Sequence, residues 1–264
     1  MRNFCLAVLV LLVSPFVVAQ DHDHGAMGAP ASASAPTVPS EVVSFPSGGE
    51  TVHGRLYLNP GKGKHPALIV IHDWMGLDNW AQTQASEYVA KGYTVLAADL
   101  YRGQVAADAN MAHELSRGLP QDQGIRDLVG AFNYLAARKD VKAEKIGVIG
   151  WCMGGGYALQ LAIAEPRLAA VVVNYGSLPT DKDVLNKIHA KLLGNFGGLD
   201  KGIPPAAVSA FAANMEALGK PVDVKDYPNS GHGFMKKIDT RGYNATDTID
   251  AQARIDAFFA KTLQ

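Results

Sequence analysis

The 264-residue sequence predicts a single α/β domain in which a mainly parallel sheet is covered by helices on both faces. From Glu41 onward, short β-branched runs alternate with stretches whose apolar residues fall at helical spacing. Most of the strand-like runs are apolar at successive positions, as strands buried on both faces must be. No Pro/Gly-rich break and no internal repeat divides the body, and a composition 48% hydrophobic and 19% charged suits one large core.

Residues 42–45 and 51–58 read as a leading antiparallel pair, followed by strands over 67–72, 94–98, 145–150, 169–174, 191–196 and 222–227, most of them buried. The helices fall between them at 80–91, 106–117, 121–138, 154–165, 205–218 and 246–263. Pro204 and Pro205 stand where a first helical turn begins, which is where the ring's fixed φ and missing N–H do no harm. The domain spans 41–264.

Ahead of it, Met1-Arg2-Asn3, an apolar run from Phe4 to Val13 and Ser14-Pro15-Phe16-Val17-Val18-Ala19 have the three-part layout of a secretory signal, with cleavage expected after Ala19. The run is shorter than the roughly 20 apolar residues of a membrane span. Residues 1–19 therefore read as a signal peptide, and the mature protein as exported to the periplasm or the medium without stable membrane association. Residues 20–40, mainly Ala, Ser, Pro and Gly after Asp21-His22-Asp23-His24, read as a flexible linker. The Asp/His alternation also suits a transition metal, so a metal-binding tail competes with a solvated one.

A formal net charge of −1 and the lack of a basic stripe interleaved with aromatics argue against a nucleic-acid partner and favour a small molecule. Of the two cysteines, Cys5 lies in the expected signal, leaving Cys152 without a disulfide partner. That thiol is either core filler or kept for reactivity.

Its neighbours bear on the choice. Gly150-Trp151-Cys152-Met153-Gly154 follows an expected strand and opens an expected helix, the setting of the nucleophile-elbow pattern G-x-S-x-G, with sulfur in place of oxygen. Glycines let the helix pack close at a strained turn, and a helix N-terminus favours thiolate over thiol. The pentapeptide alone equally suits a buried cysteine in a Gly-rich turn. In α/β-hydrolases the acid and base follow the nucleophile in chain order, on loops after later strands. Asp200 and His232 stand in those places, with types suited to orienting an imidazole and activating sulfur. The oxyanion would be held by the backbone N–H of Met153 and, from the loop after 67–72, that of Trp74.

Across nearly the whole body the chain resembles the dienelactone hydrolase (carboxymethylenebutenolidase) family. The matching segments are Ile71-His72-Asp73-Trp74-Met75-Gly76-Leu77, Gly92-Tyr93-Thr94-Val95-Leu96-Ala97-Ala98-Asp99-Leu100-Tyr101, Gly150 to Gly155, the Asp200 loop and Tyr227-Pro228-Asn229-Ser230-Gly231-His232-Gly233-Phe234. The resemblance implies an α/β-hydrolase fold and a Cys-His-Asp triad that cleaves a lactone or related ester through an acyl-enzyme, with no metal or organic cofactor. It also implies an acidic residue that engages the resting thiol, a place filled here by Asp73 where Glu is usual. Well-known members hold a substrate carboxylate with arginines. Here Lys236 takes one of those places and Arg102 lies one residue off the other, so each reads equally as a carboxylate ligand or as a solvated charge. Two other classes compete: a thiol redox protein, which lacks a resolving cysteine, and a metal-binding module built on Asp21 to His24.

Overall fold

The computed structural model describes residues 38–237 and 242–264. The expected signal peptide, most of the linker and the Asp21–His24 segment lie outside the described residues.

Eight strands form one sheet in the order β1-β2-β4-β3-β5-β6-β7-β8. β1 (Glu41–Ser47) and β2 (Glu50–Tyr57) make the expected antiparallel hairpin. β2 also pairs antiparallel with β4 (Thr94–Ala98), so β2 alone runs against the rest. β3 (His65–Ile71), β5 (Val141–Trp151), β6 (Ala170–Asn174), β7 (Lys191–Gly197) and β8 (Val222–Tyr227) continue the sheet in parallel with β4.

Neighbouring residues of a central strand supply opposite faces, because side chains alternate across the pleat. Ile69, Ile71, Val148 and Val173 face α3 (Gln121–Ala136), α4 (Met153–Ala164) and α6 (Pro205–Ala217), meeting Leu128, Phe132, Leu159 and Phe211. Leu68, Val70, Ile149 and Val172 face α1 (Asn79–Ala90) and α7 (Ala245–Leu263), meeting Ala85, Tyr88, Ile255 and Phe259. The two cores sandwich the sheet, so every parallel strand points its C-terminal end at one rim, where the functional loops gather.

Three departures from expectation have local causes. α2 (Ala109–Gly118) begins three residues later than its apolar spacing suggests, because the Asp108 carboxylate caps it by accepting the Met111 amide at 2.9 Å. β8 is an edge strand with alternating exposure rather than a buried one: Val222-Asp223-Val224-Lys225-Asp226 pairs with β7 on one side only. A single turn, α5 (Lys182–Leu185), is too short to leave a periodic signal.

The chain packs with no room for side chains where β5 turns into α4. A methyl group on Gly150 would sit 2.0 Å from the Gly154 carbonyl oxygen, and one on Gly154 would sit 2.3 Å from that of His72. Gly150→Ala is therefore expected to lower stability by about 1–3 kcal/mol or more in urea unfolding. Gly118→Ala, at a helical position where a methyl meets nothing within 4 Å, should be neutral or slightly stabilising in the same assay.

Candidate active site

Cys152 occupies the turn between β5 and α4 with φ 55° and ψ −116°, a backbone conformation that is costly for any residue with a Cβ. Hydrogen bonds hold it there. The Cys152 amide donates to the Asn174 carbonyl at 3.0 Å, and the Asn174 side chain donates back to the Gly150 carbonyl at 3.2 Å. Asn195 donates to the Asn174 side-chain oxygen at 2.9 Å, and Arg254 of α7 donates to Asn195 in turn. Both asparagines are fully buried at the ends of β6 and β7, so the strained turn leans on a satisfied polar chain.

The loops after β7 and β8 bring two further side chains to this turn. Asp200 is buried, and its Oδ1 accepts the Gly202 and Ile203 amides at 2.8 and 3.1 Å, leaving Oδ2 for His232 Nδ1 at 2.7 Å. The other ring nitrogen, Nε2, lies 3.0 Å from Cys152 Sγ. The Tyr175 ring meets the imidazole edge-on at 5.4 Å and limits its swing. The sequence thus places Cys152, Asp200 and His232 on three loops, and the fold brings them within hydrogen-bonding distance.

Electrostatics of the pair follow from these contacts. Burial pulls His232 down, but the hydrogen bonds and charges of Asp200 and Cys152 win and push it up to about 10. Burial would raise the Asp200 carboxyl, yet the His232 hydrogen bond and the two loop amides hold it below the ordinary carboxylate range. As an imidazolium the ring donates to both partners. Because the folded value of about 10 exceeds an unfolded value of about 6.5, this pairing stabilises the fold most below that lower value and fades as pH rises through the higher one.

Trp74 and Met153 are linked through the Tyr101 hydroxyl, which also lies 3.2 Å from Met153 Sδ. Met153 is the first residue of α4, where an amide has no acceptor inside its own helix. The Trp74 loop is tied to the segment after β4: Tyr101 donates to the Trp74 carbonyl at 3.1 Å, Ala106 donates to the Met75 carbonyl at 2.8 Å, and Gly76 bridges Val105. Trp151 and Phe234 are fully buried core, while Trp74 is half-buried and stacks edge-on against His113 of α2 at 4.8 Å.

Comparison with known proteins bears on this arrangement. The family model of the dienelactone hydrolase family matches residues 52–263. The chain belongs to the dienelactone hydrolase family. With that family, it is a hydrolase of the lactone and carboxylic ester class. A relative from Methylorubrum extorquens, named "Putative carboxymethylenebutenolidase", is 28% identical over 212 residues, covering 75% of this chain and 72% of the relative. A protein of the same name from Escherichia coli K12 is 26% identical, covering 82% and 84%. Among solved structures, the fold matches a dienelactone hydrolase-like promiscuous phosphotriesterase from metagenomic libraries, at 22% identity and a TM-score of 0.78, over 86% of this chain and 99% of that one.

Around the elbow, the family's expected acid and cations sit differently from the sequence-based expectation. Asp73 Oδ1 accepts the Met75 amide at 2.8 Å and Oδ2 accepts Lys236 Nζ at 2.6 Å, so its carboxylate is turned to its own loop and an ammonium, while Sγ pairs with His232. An Asp is one methylene shorter than the usual Glu, and a buried cation claims it. Lys236 also donates to Asp78 at 3.0 Å and lies 4.8 Å over the Trp80 ring, with its side chain only 10% exposed. The pairing of Lys236 with Asp73 and Asp78 was not foreseen, because the partners lie 163 and 158 residues away. Arg102 is likewise committed: Nη1 donates at 2.6 Å to the buried Asp127 of α3, which also receives the Ser47 hydroxyl at 2.6 Å, and Nη2 lies 3.6 Å from Glu50. Both cations are engaged by carboxylates of the chain itself, although Arg102 Nη2 is buried without a hydrogen-bond partner.

Two outcomes check these assignments. In NMR titration His232 should change charge near pH 10, and Asp200→Asn should lower that midpoint by roughly 1–3 units, since an adjacent carboxylate is removed. Lys236→Met should leave two carboxylates facing each other in a buried site and cost about 3–5 kcal/mol in denaturant unfolding.

Proposed function

We propose that the protein hydrolyses a lactone or small carboxylic ester through a Cys152-His232-Asp200 triad and an acyl-enzyme. The observation that carries this reading is His232, held between Asp200 Oδ2 at 2.7 Å and Cys152 Sγ at 3.0 Å. Sulfur, as thiolate beside the imidazolium, attacks the substrate carbonyl carbon and pushes its π electrons onto oxygen. The Met153 and Trp74 amides hold that oxyanion. Collapse breaks the ester C–O bond, and the imidazolium gives its proton to the leaving alkoxide, which stays attached to the acyl group when the substrate is a lactone. Neutral His232 then takes a proton from water as the hydroxide adds to the thioester. Collapse expels thiolate, restores the ion pair and releases the carboxylic acid.

Because Arg102 and Lys236 are engaged by Asp127 and by Asp73 with Asp78, the proposed substrates are uncharged esters and lactones rather than anionic ones. Residues 1–19 carry the layout of a signal, which supports action outside the cytoplasm.

The test uses purified mature protein and a panel of neutral and anionic lactones, aryl esters and thioesters. Cys152→Ala, with folding verified by circular dichroism, should lose at least roughly 10³-fold in kcat/KM, and rapidly quenched wild type should carry an acyl mass on Cys152. Hydrolysis by that variant at the wild-type rate overturns the reading. A clear preference for anionic over neutral lactones would restore Arg102 or Lys236 as ligands.

A further inference from the structure

His72 directly follows β3, is fully buried, and uses both ring nitrogens. The Leu100 amide donates to Nε2 at 3.3 Å, so that nitrogen carries no proton. Nδ1, 2.6 Å from the Asp73 carbonyl oxygen, must then carry the proton and donate it. The ring is packed against Tyr101 at 4.9 Å, and burial pulls its basicity down, keeping it neutral.

The acceptor matters more than the donor. The Asp73 carbonyl and the Trp74 N–H belong to one planar trans peptide, so whatever fixes the C=O on one side fixes the direction of the N–H on the other. That carbonyl accepts a second hydrogen bond, from the Gly76 amide at 3.2 Å, whereas the Trp74 N–H makes none to another described residue. A peptide whose oxygen draws two donors is polarised, and its N–H becomes a stronger donor.

We propose that His72 is a positioning residue for ester hydrolysis, whose Nδ1–H orients and polarises the Asp73–Trp74 peptide so that the Trp74 N–H meets the oxyanion. The inference rests on the hydrolytic reading above, in which that amide is one of two oxyanion donors. Since negative charge reaches the oxygen only in the transition state, His72 acts on kcat and leaves KM nearly unchanged.

Two substitutions separate its two nitrogens. His72→Asn keeps an N–H where Nδ1 stands but loses the acceptor for Leu100. His72→Gln keeps a polar group near Nε2 but withdraws the donor from Asp73. On the best ester of the panel, His72→Gln should lose roughly tenfold in kcat at unchanged KM, less than the 10² to 10³ of losing a whole oxyanion donor. His72→Asn should stay within about threefold of wild type, although it too is destabilised by losing a buried hydrogen bond. Equal kcat losses in both, tracking their melting temperatures, would reduce His72 to a structural role and overturn the proposal. Should either variant fail to fold, ¹⁵N NMR of the wild type decides: the neutral ring must carry its proton on Nδ1, and a proton on Nε2 overturns the proposal. Cys152→Ala keeps the two levels apart. If it is as active as wild type, the hydrolytic reading falls and this inference with it; if it is inactive while both His72 variants match wild type, only the role of His72 falls.

Discussion

The close approach of Gly150 to Gly154 governs everything built around Cys152. With no side chain on either residue, β5 can turn into α4 over a single residue, and Cys152 accepts a positive φ to make the turn. Strain of this kind persists only where the surroundings over-determine it. Here the surroundings are the Asn174–Asn195–Arg254 chain on one side and the backbone of β3, pressed against Gly154, on the other. The thiol is thereby raised above the sheet rim with a helix N-terminus beneath it.

Charge is distributed around that thiol in separate compartments. His232 and Asp200 form a pair in which the imidazole remains 43% exposed while the carboxylate is buried. Asp73, Lys236 and Asp78 form a second, buried cluster that joins the loop after β3, the start of α1 and the loop after β8. In the proposed mechanism the first pair moves protons and the second holds a loop in place. Lys236 keeps the Asp73 carboxylate occupied, which leaves the sulfur to the imidazole.

Much of this was legible in the sequence because it is local. The elbow is five consecutive residues, the acid and base follow strands whose apolar runs are plain, and the parallel sheet follows from the alternation of patterns. The unreadable parts depend on which strands become neighbours. That β8 lies at an edge follows from strand order, which no window of sequence contains. Lys236 read equally as a substrate ligand or a solvated charge because nothing near it in sequence announces Asp73 and Asp78, and Arg102 did so because Asp127 lies on a helix that reads as amphipathic. α2 started late because a capping aspartate outweighed an apolar position ahead of it. His72 was visible only as a strand-end residue, since its role depends on one carbonyl and one amide that come together in the fold.

The chain order of the three side chains also has a consequence in time. Cys152 leaves the ribosome well before Asp200 and His232, and the loop carrying His232 is placed only once β8 adds to the rim of the sheet. A half-made chain therefore holds Cys152 without the imidazole that stands 3.0 Å from it in the finished fold. In the proposed mechanism completion of the fold supplies the base, and a chain truncated before β8 would keep the cysteine without it.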